Sequence, residues 1–167
     1  FTSNAAIACD DMTWEGYDIV VSGASLTVDC AHTFNSLALA NSAAVTHTAA
    51  QVNGMHTTIT QYVAVDSSSA ISADGRGFAG TLGPGSGTGT CQSCGGAGGG
   101  GYGGSGGSGS GAMGGNTYGS FEEPLNLGSG GGQRYYTEGG VGGGAIRLTV
   151  GGRLSVDGLI SANGNRV

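Results

Sequence analysis

The sequence has no lysine and few charges of any kind. Its five arginines, Arg76, Arg134, Arg147, Arg153 and Arg166, stand against eleven acidic residues in 167, giving a net charge of −6. Such a chain lacks the basic footprint that neutralises phosphates, so no nucleic-acid partner is expected, and it lacks the polybasic stretch that docks on anionic lipid. No run of eighteen apolar residues occurs, so no transmembrane helix or membrane insertion is expected. The glycine-rich stretch GPGSGTGT (83–90) is not followed by the Lys-Ser/Thr of a phosphate loop, which argues against nucleotide binding. No Asn-x-Ser/Thr acceptor is present, and the chain opens on Phe1 without a basic-then-apolar leader, as a mature or trimmed form would.

What is there is apolar, β-branched and rich in glycine. Hydrophobic residues make up 38% of the chain, enough to argue against disorder despite the low charge. Residues 1–74 read as short strands: in ASLTVDC, Leu26 and Val28 share one face and Ser25, Thr27 and Asp29 the other. Residues 75–144 hold 31 of the 38 glycines, and residues 145–167 return to strand in AIRLTVGG, RLSVDG and LISANG. No stretch has a capped helical face. The expected organisation is one domain in three parts: N-terminal β coils (1–74), a glycine-rich excursion (75–144) and a C-terminal β coil (145–167).

Two stretches flanking the excursion match. VAVDSSSAISADGRG (63–77) and LSVDGLISANGNR (154–166) both read apolar-x-Val-Asp, a turn, then Ile-Ser-Ala-Asp/Asn-Gly, and LTVDC (26–30) reads as a third copy of the first half. Repeated short strands with Asx-Gly turns predict stacked parallel coils: an all-β fold, a short right-handed parallel β-helix with a long glycine-rich insertion. The ends of the insertion should then lie about one strand spacing, roughly 5 Å, apart. Within it, GGYGGSGGS (100–108) has a period of three, the period of a left-handed polyglycine-II-like helix, with Tyr102, Ser105 and Ser108 on its third face. A disordered Gly/Ser loop is the alternative. The anchors that favour order are Tyr102, Tyr118, Phe121, Leu125, Leu127, Tyr135 and Tyr136.

The words WEGYDIVVSGASLTVDCAHTFNSLALANSAAVTH, ISADGRGFAGTLGPGSG, EPLNLGSGGG and GGVGGGAIRLTVGGRLSVDGLISANG together resemble the glycine-rich right-handed β-helix segments of large secreted bacterial surface proteins of the adhesin type. The resemblance covers nearly the whole chain and implies a surface or adhesive module; no catalytic motif comes with it. The chain departs from that pattern at Cys30, where a turn glycine is expected, and at CQSC.

The cysteines form two close sets. Cys9 and Cys30 would tie the N-terminal segment to the first coil if their Cα atoms lie within roughly 7 Å. Cys91 and Cys94 suit a local disulfide, with free thiols or half of a metal or redox site as alternatives. An even cysteine count fits an oxidising exterior, so an extracellular or cell-surface location is expected. Asp10, Asp11 and Glu15 form the densest acidic cluster, read as a solvated turn or as calcium ligands. Asp66, Asp74, Asp157 and Asn163 recur at corners, where Asx side chains cap turns. His47 and His56, flanking THTAAQVNGMH, read as exposed loop histidines. No convergent acid and base can be named, so a polysaccharide-degrading enzyme is the weakest function, and no cofactor is expected. The leading expectation is an extracellular structural or adhesive protein that self-associates head to tail into a filament or array, a segment of a longer protein being the other reading of an open coil end. The alternative is a carbohydrate-binding module using Trp14, Tyr102, Tyr118, Tyr135 and Tyr136, with surface polysaccharide as partner.

Overall fold

A computed structural model of the chain describes residues 1–90 and 95–165. The CQSC motif and its expected Cys91–Cys94 disulfide lie outside the described residues. The protein is mostly β, with parallel sheets and one short helical turn at Met12–Trp14. The strands are β1 (Ala5–Ile7), β2 (Asp18–Ser22), β3 (Ser25–Val28), β4 (Cys30–Ala40), β5 (Ala44–Thr46), β6 (Met55–Val65), β7 (Ala70–Ser72), β8 (Ile146–Val150), β9 (Arg153–Val156) and β10 (Leu159–Ser161). Two compact units emerge. The first comprises Phe1–Thr48, Asn53–Ser72 and Ile146–Ser161; the second comprises the described parts of Ala49–Val52, Ala73–Ala145 and Ala162–Val167.

The first unit holds all ten strands of the described residues, in two sheets. Sheet one runs β1-β3-β5-β7-β10; sheet two runs β2-β4-β6, with β8 and β9 both pairing with β6. Every pairing between these strands is parallel. Parallel neighbours cannot be joined by a tight hairpin, and here the chain alternates between the sheets from β1 to β8, so each strand from β3 onward stacks on one from an earlier pass. In-register stacking builds columns of inward-facing side chains. Val21, Leu39 and Val65 form one; Ile19, Leu37 and Val63 a second; Leu26, Val45 and Ile71 a third. All nine are buried in one core with Ile7, Val28, Phe34, Met55 and Ile59. Each contributes about 1.5–3 kcal/mol of transfer free energy.

The repeat read from the sequence is a physical stack. Val63–Val65 pair with Leu154–Val156, and Ala70–Ser72 with Leu159–Ser161. LTVDC is not the third copy it resembles. Leu26–Val28 belong to β3 of sheet one, whereas the two true copies of that word lie in sheet two. An apolar-polar-apolar-Asp word suits the end of a strand in either sheet, so the word alone does not fix the sheet.

Acidic residues hold the corners. Asp29 accepts from Thr48 N and Thr48 Oγ1, both at 2.7 Å, and Asp66 accepts from Asn41 N at 2.8 Å and Ser68 N at 3.0 Å. The Ser69 hydroxyl, then the Asn41 amide, lower the Asp66 carboxyl to about 2. A lowered folded-state value stabilises the fold above the ordinary carboxyl range near 3.8, and that stabilisation is lost as pH falls through about 2. Asp66→Asn is therefore expected to lower the melting temperature at neutral pH, with the deficit closing between pH 4 and about 2. Melting curves of the two proteins across that range check it; a deficit independent of pH would refute it.

The second unit is ordered by a different bond pattern. Phe78 N and Thr81 N, three residues apart, donate to Gly128 O and Gly131 O, also three apart. The same spacing joins Gly87 and Thr90 to Gly130 and Gln133, Gly115 and Tyr118 to Gly99 and Tyr102, and Gly128 and Gly131 to Gly143 and Gly140. The segment 98–102 bonds to four others: Gly98 and Gly101 donate to Thr88 and Gly85, Gly99 and Tyr102 to Gly107 and Gly104, Gly99 O and Tyr102 O accept from 115–118, and Gly98 O accepts from Gly132 N. A three-residue period sends successive amides outward in three directions, which a two-sided β-strand cannot do. Gly144 N donates to Ala73 O at 2.8 Å, so the two ends of the excursion lie side by side.

The word GGYGGSGGS does not run on as one helix. The bonds of Gly99 to Gly107 and of Tyr102 to Gly104 fold it back on itself at 102–104. Tyr102, Ser105 and Ser108 therefore do not share a face. Tyr102 packs against Tyr118, the Ser105 hydroxyl meets Thr117 Oγ1 at 3.1 Å, and Ser108 Oγ accepts from Gly114 N. Of the expected anchors, Leu127 is buried and Tyr102 and Tyr118 half-buried, whereas Phe121, Tyr135 and Tyr136 stand exposed.

Candidate functional site

An array of polar and aromatic side chains lies on the outer face of sheet two. In β6, Met55, Thr57 and Ile59 point into the core and His56 and Thr58 away from it; in β8, Ile146, Leu148 and Val150 pack on the core while Arg147 and Thr149 are exposed. Register then aligns Ala31, His56 and Arg147 in one row across the sheet and Thr33, Thr58 and Thr149 in the next. Rows of this kind place side chains about 4.8 Å apart. These six residues line a cavity of about 310 Å³.

Further along the face the register of β4 against β6 shifts between Phe34 and Ser36. An extra residue in one strand re-aims its neighbours, and here it leaves Gln61 and Tyr62 both exposed. Tyr62 pairs with Arg153, and Ala64 with Ser155. Gln61, Tyr62, Arg153 and Ser155 line a second cavity, of about 650 Å³. His56 and Tyr62, six residues apart on β6, lie roughly 20 Å from one another, as do their partners Arg147 and Arg153.

Charge on this face is graded. Asp18, at its β2 edge, accepts from Ser36 Oγ at 2.6 Å and Asn35 Nδ2 at 2.7 Å, and those bonds, Ser36 first, lower its carboxyl. The β8–β9 edge carries the two arginines. Burial, then the Arg147 guanidinium and His47, lower the His56 imidazole, so it is neutral at pH 7. His56 Nε2 has no hydrogen-bond partner and is closed to solvent.

The residues expected from the sequence fall elsewhere and do not converge. Trp14 is half-buried, its ring 4.9 Å from that of Phe1. Tyr102 and Tyr118 pack edge to face at 5.0 Å; the Tyr118 hydroxyl donates to Leu127 O and accepts from Ser129 Oγ, and burial raises it above the ordinary phenol range. Tyr135 and Tyr136 form an exposed pair at the tip of a two-residue turn closed by Arg134 and Thr137, with Tyr135 Oη donating to Tyr136 Oη at 2.8 Å. Asp11 and Glu15 serve the protein itself. Asp11 Oδ1 accepts from Thr13 N at the helical turn, and Glu15 bridges His32 Nδ1 and Thr33 N, each at 2.7 Å. Among the described residues no three His, Cys, Asp or Glu side chains are grouped to hold a metal. Cys9 and Cys30 are joined in a disulfide, Cα to Cα 5.1 Å.

The histidines are not exposed loop residues: His47 follows the end of β5 but is buried, and His56 lies in a strand. His32 and His47 are buried, and His32 stacks on Phe34 at 5.9 Å; His56 is half-buried in β6. The polar segment between His47 and His56 suggested a loop running through both, yet β6 begins at Met55 and takes His56 with it. The signal for the outer face was nonetheless in the sequence. MHTTITQYVAV (55–65) and IRLTVGGRLSV (146–156) pair without a gap wherever both are strand, Met55–Ile59 and Tyr62–Val65, at one constant offset. The matching words VAV and LSV, extended backwards, would have found Arg147 and Arg153 opposite His56 and Tyr62. Compared with protein-family models, with curated proteins and with solved structures, the chain matches none.

Proposed function

We propose that the chain is an extracellular structural or adhesive module, built as a short parallel β-helix carrying a bundle of polyglycine-II-like helices, and that it self-associates. The alternation between two parallel sheets supports the first element, and the three-residue bond period of the second unit supports the other. The Cys9–Cys30 disulfide is in keeping with an oxidising exterior.

The observation that carries self-association is the state of the last strands. Leu154 and Val156 continue the columns of Val63 and Val65, and Ile160 that of Ile71, yet they are 52%, 37% and 38% exposed where those partners are buried. Unpaired strand edges bearing apolar side chains recruit further strands. The first strands are more closed: Phe1 packs on Trp14, its ammonium donates to Val20 O at 2.6 Å, and Ser22 N donates to Phe1 O. A head-to-tail array places the last strands of one copy on the first of the next; a pair places last strands on last strands.

Sedimentation of the chain across a range of concentrations, followed by electron microscopy, tests this. Association is expected, to be abolished by Leu154→Glu with Ile160→Lys. Discrete monomers at high concentration, or association unchanged in that variant, would refute it.

A further inference from the structure

We propose that the outer face of sheet two is a binding site for an anionic linear polysaccharide, with Arg147 and Arg153 as its two charge contacts and Tyr62 as its stacking platform. This rests on the adhesive part of the proposed function and supplies its ligand class; it does not depend on self-association.

Four observations carry it. First, the chain has only five basic side chains to place, and two of them stand on one face of one sheet edge, Arg147 and Arg153, both exposed. Second, each sits in a cavity with uncharged hydrogen-bonding side chains: Thr33, Thr58 and Thr149 with Arg147, Gln61 and Ser155 with Arg153. Hydroxyls, an amide and a guanidinium fork together match a sugar ring that bears hydroxyls and an acid group. Third, Tyr62 is exposed beside Arg153 in register, and an aromatic ring with a polar tip offers a flat apolar surface to one side of a sugar at low entropic cost. Fourth, among the described residues the linings of the two cavities include no carboxylate to compete for either guanidinium.

Geometry selects the ligand class. The two arginines are roughly 20 Å apart along an extended strand pair, a spacing that suits a linear polymer with well-separated acid groups. Double-stranded DNA, with a charge per roughly 1.7 Å of axis, would find two neutralising contacts on a protein of net charge −6. Asp18 stands three strands away from Arg153 in the same row, its carboxylate held by Ser36 and Asn35, so the polymer runs along the β8–β9 edge and clear of β2.

Affinity electrophoresis of the whole chain in gels containing hyaluronan, keratan sulfate, unmodified dextran or double-stranded DNA tests the site. Retardation by the acidic polysaccharides and not by dextran is expected, and which of the two binds more tightly tells carboxylate from sulfate recognition. Arg147→Gln with Arg153→Gln should weaken binding by roughly tenfold or more, and Tyr62→Ala by roughly tenfold, with far-UV circular dichroism unchanged. No retardation by either acidic polymer, equal retardation by DNA, or full binding by the double arginine variant would overturn the proposal. Since none of these residues is among the exposed apolar residues of the last strands, sedimentation of the same variants keeps the failure of this site separate from the failure of self-association.

Discussion

Gly101→Ala is expected to destabilise the glycine-rich unit by on the order of 3 kcal/mol, while Gly104→Ala, three residues on, leaves stability unchanged or raises it by up to about 1 kcal/mol. The same methyl group is added in the same word of the sequence; only the surroundings differ. A Cβ at Gly101 would stand 2.5 Å from Asn116 O and 2.7 Å from Gly115 O. Both are backbone atoms of a neighbouring segment that is itself bonded: Gly115 N donates to Gly99 O, and Tyr118 N to Tyr102 O. Room for the methyl can come only from moving the two segments apart, which lengthens the bonds that join them, Gly115 N to Gly99 O at 2.9 Å and Tyr118 N to Tyr102 O at 2.7 Å. At Gly104 a Cβ meets nothing within 4 Å, and the residue is exposed. There the substitution acts mainly on the unfolded chain, whose freedom it reduces. Denaturant unfolding of the two variants, with amide exchange read at Gly98, Gly101 and Gly115, separates these outcomes. Equal stability of the two variants would mean that the glycines are spacers and not a packing surface.

The contrast bears on why so much glycine is tolerated. Fixing a glycine costs more backbone entropy than fixing any other residue, and each net hydrogen bond returns only about 1 kcal/mol. A segment bonded on one side would not hold. The segment 98–102 is bonded to four neighbours, and only residues without side chains let four backbones approach one another so closely.

Much of the first unit was legible in the sequence because apolar alternation and turn residues are local signals. The strands about Leu26, Leu37 and Ile146 and the pairing of Val63–Val65 with Leu154–Val156 follow from them, and the Cys9–Cys30 bridge meets the Cα separation that its geometry requires. The misreadings arose where a local word has several physical solutions. LTVDC fits a strand end in either sheet. GGYGGSGGS has the period of a continuous helix, but nothing in a run of glycine marks the reversal at 102–104, because glycine bends at no cost. The outer-face residues were missed for another reason: Tyr62 and Arg153, like His56 and Arg147, are far apart in sequence and become neighbours only through strand register.

Removing the Cys9–Cys30 disulfide is expected to cost about 3 kcal/mol, the stabilisation a bridge closing a loop of this length supplies, and the loss should depend on what replaces Cys30. Cys30 has φ 69°, in the left-handed region that an L side chain occupies at a cost of roughly 1–2 kcal/mol. Its amide nonetheless donates to Gly54 O at 2.8 Å, and the residue opens β4, so the conformation is demanded by the corner between β3 and β4. Glycine and a bridged cysteine are therefore two solutions to one backbone problem: the first removes the strain, and the second offsets it with a cross-link to the segment after β1. Cys9→Ser with Cys30→Gly should then be more stable than Cys9→Ser with Cys30→Ser by about 1 kcal/mol, although the glycine variant is freer when unfolded. Urea unfolding of the pair decides it. If the serine variant equals or exceeds the glycine variant, the corner relaxes once the bridge is gone, and the left-handed backbone at Cys30 is a product of the disulfide and not a requirement of the coil.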